Sequence, residues 1–280
     1  MSASVLAAPV TGGVVRRARD RAPLVAASML GVLLVAALLA PLLAPYAVDA
    51  LDLANRRAAP SPRHWFGTDE LGRDLLTRVL FGARVSLAIG LVSALVSAAI
   101  GAAVGAVAGY AGRLVDDILM RVTDAMLAIP RLPLLMIAAA VLQPSVPLLV
   151  VLVGLAGWME TARVVRAEVL SLAARDFVSA ARAMGASPAR VLLRHVLPGV
   201  LPATAVATTL AVGRGILLES ALSFFGVGVQ PPTASWGNML YQAQTTMTSE
   251  PWLAIFPGAM IFLTVLACNA VGDAIGEQKS

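Results

Sequence analysis

The segment DFVSAARAMGASPARVLLRHVLP, from Asp176 to Pro198, predicts two short helices joined at a glycine. Asp176 is a good N-cap, and the alanine-rich run that follows it consists of strong helix formers. Gly185 suits the position just after a helix, where a left-handed backbone is needed. Ser187 would cap a second helix with Pro188 as its first residue, and Pro198 would end that helix. We therefore expect a helical elbow between two apolar segments.

The composition places this elbow in a membrane protein. Hydrophobic residues make up 59% of the 280 residues and charged residues only 13%, and the mean hydropathy is +0.83. A soluble domain usually carries about a quarter charged residues. The polar surface is too small to cover a water-soluble globule of this size, which excludes one or two soluble domains.

Six apolar segments are long enough to cross a bilayer, for which a helix needs about 20 residues. They run from Leu24 to Pro45, Val85 to Gly109, Val122 to Val141, Pro147 to Val165, Pro202 to Phe224 and Leu253 to Val271. The first is longer than the apolar run of a cleaved signal peptide, so we interpret it as an uncleaved span. The expected fold is an all-α integral membrane bundle of six transmembrane helices.

The distribution of basic residues predicts the orientation of these spans. If the N-terminus lies inside, thirteen Arg and Lys residues fall in inner segments and five in outer segments. Because short loops rich in Arg and Lys stay in the cytoplasm, we expect both termini to be cytoplasmic. The arginines are scattered between apolar runs and form no single stripe, which argues against a nucleic-acid partner.

This topology divides the chain into five parts. They are an inner tail (1–23), the first span (24–45), an outer segment (46–82), a core membrane domain with the elbow in its loop at 170–200 (83–273), and a second inner tail (274–280).

The outer segment contains GTDELGRDLLTRVLFGAR, which has an amphipathic pattern. Leu71, Leu75 and Val79 fall on one helical face, and the charged residues lie largely elsewhere. This pattern predicts an interfacial amphipathic helix. The helix would be either a structural lid on the bundle or a docking surface for an external partner.

The second span carries small residues at a regular spacing. Gly101, Gly105 and Gly109 recur every four residues, and such a face lets the backbones of two membrane helices approach closely. We interpret it as a packing face inside a bundle.

Among the charged residues within or beside the spans, we single out Arg131, Arg214 and Glu219. An Arg near the middle of a span costs about 2.5–3.5 kcal/mol on insertion scales, so Arg214 should face the bundle interior or water. Glu219 is five residues away and is not on the same helical face. Arg214 would either pair with a second membrane subunit or line a translocation path and meet a substrate carboxylate. We assign all three residues to a candidate pathway.

The sequence lacks the residue patterns for disulfide bonds, for zinc binding and for ATP binding. Cys268 is the only cysteine, and His64 and His195 belong to no zinc-binding spacing. A phosphate-binding P-loop needs a Lys after a Gly-rich turn, but the only Lys is Lys279. We expect no bound metal or cofactor in this chain and no ATPase activity of its own.

The elbow resembles the EAA loop in the inner-membrane permease subunits of ABC importers. The pattern of that loop is Glu-Ala-Ala, three residues, Gly, nine residues, Ile, one residue and Leu-Pro. Ala180, Ala181, Gly185, Leu197 and Pro198 match it in register, while Ser179 replaces the Glu and His195 the Ile. With Asp176 as the N-cap, the usual Glu at position 179 could close a capping box.

Two further segments narrow the resemblance. FGTDELGRDLLTRVLFGARVSL (Phe66 to Leu87) and LSFFGVGVQPPTASWGNML (Leu222 to Leu240) are similar to the second, C-type subunit of the dipeptide, oligopeptide and nickel permeases. GWMETARVVRAEVLSL (Gly157 to Leu172) fits the same group. The similarity extends from the first span to Asp273 and implies the bundle of a type I ABC importer in a bacterial inner membrane.

The resemblance also implies partners. Permeases of this family pair with a homologous second permease (B-type), two cytoplasmic ATPase subunits that bind ATP and Mg²⁺, and an external substrate-binding protein. The EAA helices insert into clefts of the ATPases and transmit their ATP-driven closure to the spans. The residues expected to make this contact are Ala180, Ala181, Arg182, Gly185, Ser187, Pro188, Arg190, His195 and Pro198.

Other classes of function remain open at this point. A self-contained secondary transporter or channel would need inverted repeats and ion-coupling carboxylates, and an intramembrane enzyme would need a nucleophile with a base or a metal dyad. The cargo is also open: the resemblance most favours dipeptides or oligopeptides, with nickel chelates or glutathione as alternatives.

Overall fold

The described part of the protein is a bundle of eleven α-helices, whose long members follow the predicted apolar runs. A computed structural model describes residues 12–277, with side chains from Pro23 onward, and contains no strand within that range. The helices are α1 Gly12–Leu38, α2 Ala40–Leu43, α3 Leu75–Tyr110, α4 Arg113–Ala128, α5 Arg131–Leu142, α6 Val146–Ala173, α7 Asp176–Ala183, α8 Pro188–Val191, α9 Leu197–Phe224, α10 Trp236–Ala243 and α11 Trp252–Glu277. A 3₁₀ turn spans Leu53–Asn55, and a π-helical turn spans Leu192–Val196.

Four helices are long and apolar enough to cross a membrane. They are α3, α6, the continuous run from Pro188 to Phe224, and α11, and α4 with α5 adds a fifth if the bent pair forms one span. The apolar part of α1, Pro23–Leu38, is shorter than a full span. The all-α, multi-pass membrane architecture is confirmed, but the predicted number of six spanning helices is not.

The first predicted span is interrupted near its end. Helix α1 ends at Leu38, Leu39 leaves the regular helical geometry, and α2 continues to Leu43. Pro41 occupies the start of α2, where its missing N–H and its ring prevent a straight continuation.

The third predicted span is broken into two helices. α4 and α5 meet at an angle of 80°, so the segment predicted as one spanning helix from Val122 to Val141 is not a continuous helix. The break lies at Ile129, whose backbone is extended (φ −81°, ψ 125°), directly before Pro130. A residue that precedes proline is pushed out of the helical region. The bend places Arg131 at the first turn of α5.

The small residues of α3 form a close helix contact inside the bundle, as predicted. A Cβ added to Gly101 would lie 2.6 Å from the Trp158 carbonyl oxygen, and one added to Gly105 would lie 2.4 Å from the Ala162 carbonyl oxygen. These distances leave no room for a side chain. The glycines therefore allow α3 to pack directly on the backbone of α6. Helix α9 packs against both of these helices, and α11 packs on α9.

The predicted amphipathic helix is not a separate element. Asp74 caps α3 by accepting a hydrogen bond from the Thr77 N–H (2.8 Å), so the helix begins only at Leu75 and continues into the second span. Gly72 interrupts the pattern upstream with φ +76°, and a Cβ there would lie 1.8 Å from the Asp52 carbonyl oxygen. Leu75 is buried in one hydrophobic cluster with Met239, Ala243 and Leu253.

Candidate functional site

The first candidate site is the elbow between α6 and α9. Helix α7 begins at Asp176, with Arg175 in the N-cap position and no side-chain cap. The prediction that Asp176 is the N-cap was therefore wrong by one position. Ser179 is consequently the fourth residue of the helix and not the third, which removes the geometry of a capping box at that position.

The turn after α7 is a Schellman motif centred on Gly185. Gly185 has φ +82°, and its N–H donates to the Arg182 carbonyl oxygen (3.0 Å). The N–H of Ala186 donates to the Ala181 carbonyl oxygen (3.1 Å). These are the two backbone hydrogen bonds that define the motif, and the positive φ explains why a glycine stands here. A Cβ on Gly185 would have nothing within 4 Å, so only backbone strain opposes a side chain.

The second helix of the elbow does not end at Pro198. Ser187 caps α8 by accepting from the Arg190 N–H (3.4 Å), and Pro188 is at the first turn, as predicted. The chain then passes through the π turn Leu192–Val196 into α9 without a break. In that turn the Leu197 N–H donates to the Leu192 carbonyl oxygen, five residues back. This wider turn, together with a place at the start of α9, accommodates Pro198.

Most of the residues expected at an ATPase contact lie on the outside of the elbow. His195 is half-buried in the π turn, and the exposed ones are Ala180, Arg182, Gly185, Ser187, Pro188, Arg190 and Pro198. Ala181 is different because it is only 3% exposed and packs in a cluster with Val165 and Val169 of α6. Its side chain therefore cannot form part of the exposed surface of the elbow.

An exposed apolar stripe on α7 was missed by sequence reasoning. Phe177 and Met184 are both exposed, Met184 to 82%. With Ala180 they fall at i, i+3 and i+7, which places them on one face of the helix. The helical spacing was visible in the sequence, but which face is covered depends on how α7 packs on α6.

The second candidate site is a cluster of three charged residues where α5, α6 and α9 converge. The Arg131 Nη2 donates to the Glu160 Oε1 (2.7 Å), and the Arg214 Nη1 contacts the Glu160 Oε2. The structure thus brings together two of the predicted pathway residues. Glu160, near the middle of α6, was not predicted, and it is a partner for Arg214 within the same chain.

Glu219 does not join this cluster. It is 0% exposed and accepts hydrogen bonds from the Ser86 hydroxyl (3.0 Å) and the Ser223 hydroxyl (2.8 Å). Its carboxylate lies inside the packed bundle between α3 and α9. In this structure Glu219 therefore lines no open path.

A metal site finds no support in the described part of the chain. Residues 12–277 contain no group of three His, Cys, Asp or Glu side chains placed to hold a metal ion. His64 instead lies 3.0 Å from the Asp74 Oδ1 through its Nδ1, in a buried pair next to the start of α3.

Comparison with known proteins identifies the family. Residues 101–278 match the family described as the binding-protein-dependent transport system inner membrane component. The chain belongs to this family and is thus a multi-pass membrane subunit of an ABC importer.

Relatives that resemble the chain over most of its length are named as permeases for peptides, dipeptides or glutathione. A putative peptide permease protein of Brucella suis is 40% identical over 271 residues, which cover 96% of this chain and 90% of the relative. A glutathione transport system permease protein of Escherichia coli is 40% identical over 92% of this chain and 86% of its own length. A dipeptide transport system permease protein of Alkalihalophilus pseudofirmus is 36% identical over 86% of this chain and 79% of its own length.

A solved structure has the same fold. The MetNI methionine ABC transporter in an inward-facing conformation matches with a TM-score of 0.61 at 20% sequence identity, over 74% of this chain and 98% of that chain. At this identity the likeness supports the fold alone.

Proposed function

We propose that this chain is the C-type permease subunit of a peptide-importing ABC transporter and forms half of its translocation path. The proposal combines the family membership with the names of three relatives, which transport peptides, dipeptides or glutathione. These cargoes share amide bonds and free carboxylates. Nickel chelates remain the alternative cargo, although no three-residue metal group supports them within residues 12–277.

The observation that most supports a role in coupling transport to ATP hydrolysis is the exposed elbow. Its apolar stripe of Phe177, Ala180 and Met184 has no covering partner among the described residues. An exposed apolar face that is rimmed by polar residues marks a protein interaction site. Arg182, Arg190 and Arg194 of the same elbow are exposed as well and add positive charge to its surface. The surface suits a cleft in an ATPase subunit that has apolar walls and an acidic edge.

The energy for transport would then come from other subunits. The printed sequence carries no Gly-Lys-Ser/Thr motif, so this chain would bind neither ATP nor its Mg²⁺ ion, which two cytoplasmic ATPase subunits would hold. A homologous B-type permease would complete the path, and a substrate-binding protein would deliver cargo from outside. The excess of inner Arg residues supports cytoplasmic termini in a bacterial inner membrane.

The experiment is reconstitution of the full complex in proteoliposomes. The chain is co-expressed with its permease partner and ATPases, and uptake of radiolabelled tri-alanine and of glutathione is followed with and without ATP and the binding protein. We expect uptake of tri-alanine, of glutathione or of both peptides, and we expect that uptake to require ATP as well as the binding protein. Uptake driven by an ion gradient without ATP would instead support a secondary transporter and overturn the proposal.

A further inference from the structure

The cluster on α5, α6 and α9 has one anion for two cations. Glu160 shares its carboxylate between Arg131 and Arg214, one oxygen on each guanidinium. Among the described residues neither arginine has a second carboxylate within ion-pair distance. The cluster therefore carries a residual charge of one positive unit.

These charges are partly open to their surroundings. The side chains of Arg131, Glu160 and Arg214 are 22%, 36% and 42% exposed. Glu160 and Arg214 lie well inside α6 and α9, where exposure of a charge to lipid is costly. The open side of the cluster must therefore face water or an anionic group.

A small cleft adjoins the cluster. Its polar lining consists of Arg131, Arg214, Ser93 and Ser97, and the rest of its lining is glycine or apolar: Ala94, Val153, Gly157, Ala211, Gly215 and Leu218. Each guanidinium has five N–H donors in a planar fork, and its contact with Glu160 uses only one nitrogen. Donors therefore remain for another planar acceptor with two oxygens, which is the shape of a carboxylate.

We propose that Arg131 and Arg214 form a carboxylate-binding site in the translocation path, with Glu160 as a built-in competitor that a peptide carboxylate displaces from one arginine. This inference rests on the proposed function. A second carboxylate would neutralise the residual charge of the cluster. The exchange replaces one Arg–carboxylate pair with another, so the free carboxylate can bind and leave without exposing a bare charge to an apolar environment.

The location of the cluster links this site to the elbow. Glu160 is on α6 and Arg214 on α9, which are the two helices that the elbow connects. A displacement of the elbow that separates α6 from α9 would lengthen the Glu160–Arg214 pair and release the arginine. Substrate access to the guanidinium would in this way follow the movement of the ATPases.

The test is direct binding to the purified four-subunit complex without its binding protein. Equilibrium dialysis compares [¹⁴C]tri-alanine with its C-terminal amide for the wild type, Glu160→Gln and the double variant Glu160→Gln/Arg214→Gln. Removing the competitor should tighten binding of the free acid about tenfold, the gain from one charge-assisted pair, and leave the amide unchanged. The second substitution should abolish this gain.

Two further variants keep the result interpretable. Asp124→Asn removes a carboxylate from the exposed Arg163–Asp124 pair, which also involves α6, and should leave both affinities unchanged. If Glu160→Gln does not assemble, Glu160→Asp, which is too short to reach both arginines, should show a smaller gain of the same sign.

An unchanged preference for acid over amide in an assembled, ATP-hydrolysing Glu160 variant would overturn the inference, and so would the absence of any binding. Either result leaves the proposed function intact, because the wild-type uptake assay tests that function separately. Failure of wild-type uptake would overturn the proposed function whatever the dialysis shows.

Discussion

Ser86 on α3 donates a hydrogen bond to Glu219 on α9 across 3.0 Å, although the two residues are 133 positions apart. The Ser86 hydroxyl also accepts from the Trp236 N–H at the start of α10 (3.1 Å). Ser223 makes a similar bridge, since it donates to Glu219 and accepts from the Val229 N–H (3.0 Å). One buried carboxylate thus holds two spanning helices and the connection to α10 in a single network.

This network predicts that Glu219 is structural. Glu219→Ala leaves two buried hydroxyls without their acceptor, and we expect a loss of about 1–3 kcal/mol per unsatisfied group. Glu219→Gln, which keeps an oxygen acceptor, should lose less. Thermal unfolding of the purified complex measures both, with Asp273→Ala on the exposed face of α11 as the control. If the Glu219→Ala complex is as stable as the wild type but its uptake is impaired, Glu219 acts in the translocation path and is not merely structural.

The elbow at Gly185 should be intolerant of a β-branched side chain. Gly185→Val strains a backbone at φ +82° by about 1–2 kcal/mol, without any steric clash, so the protein should still insert while transport is lost. Gly112→Val is a control for backbone strain, because Gly112 also has positive φ (+104°, with ψ 169°) and open space around its Cβ but lies between α3 and α4; its strain should be at least as large. Substrate-stimulated ATP hydrolysis should fall in Gly185→Val only. Equal loss in both variants would mean that strain, and not the elbow, is responsible.

Ala181 and Met184 should respond differently to a negative charge. Ala181→Asp places an unpaired carboxylate in the cluster with Val165 and Val169 and should destabilise the packing of the elbow itself. Met184→Asp changes a side chain that is 82% exposed, so the fold should survive while the ATPase no longer co-purifies. Leu114→Asp, at an exposed apolar position of α4, is the control for a general effect of charge. Co-purification of the ATPase with Met184→Asp at wild-type levels would exclude the stripe from the contact.

Ser179→Glu should be tolerated. The side chain is exposed, and as the fourth residue of α7 it cannot close a capping box, so we expect a change in stability within about 0.5 kcal/mol. Uptake by the reconstituted complex and its melting temperature are the measurements, with Ser179→Gln as the neutral control of similar size. Loss of uptake in Ser179→Glu alone would indicate an acidic partner surface opposite this residue.

The membrane orientation can be tested by labelling single cysteines in a Cys268→Ala background. Ser187→Cys in the elbow should react only with a reagent that enters the cytoplasm, and Thr248→Cys, between α10 and α11, with an impermeant reagent added outside. Both positions are exposed, whereas the nearby Thr246 is buried and would be a poor reporter. Labelling of Ser187→Cys from outside would reverse the predicted topology.

Sequence alone determined the features that depend on near neighbours in the chain. Gly185 and the Ser187–Pro188 pair specify the elbow because a positive φ, a side-chain cap and a fixed φ act within a few residues. The four-residue spacing of Gly101, Gly105 and Gly109 likewise defines one face of a helix before its partner is known. The apolar runs indicate membrane helices for the same local reason, and Pro130 interrupts one of them at the α4–α5 break.

Only the tertiary structure decided which side chains meet. Glu160 lies 29 residues from Arg131 and 54 from Arg214. The periodicity within one helix does not predict which residues of other helices Glu160 will contact. The same limit applies to Ala181, which matched a family motif yet packs inward, and to Glu219, whose carboxylate is enclosed by serines on α3 and α9. Helix order and rotation set these contacts, and both arise from how complete helical surfaces pack together.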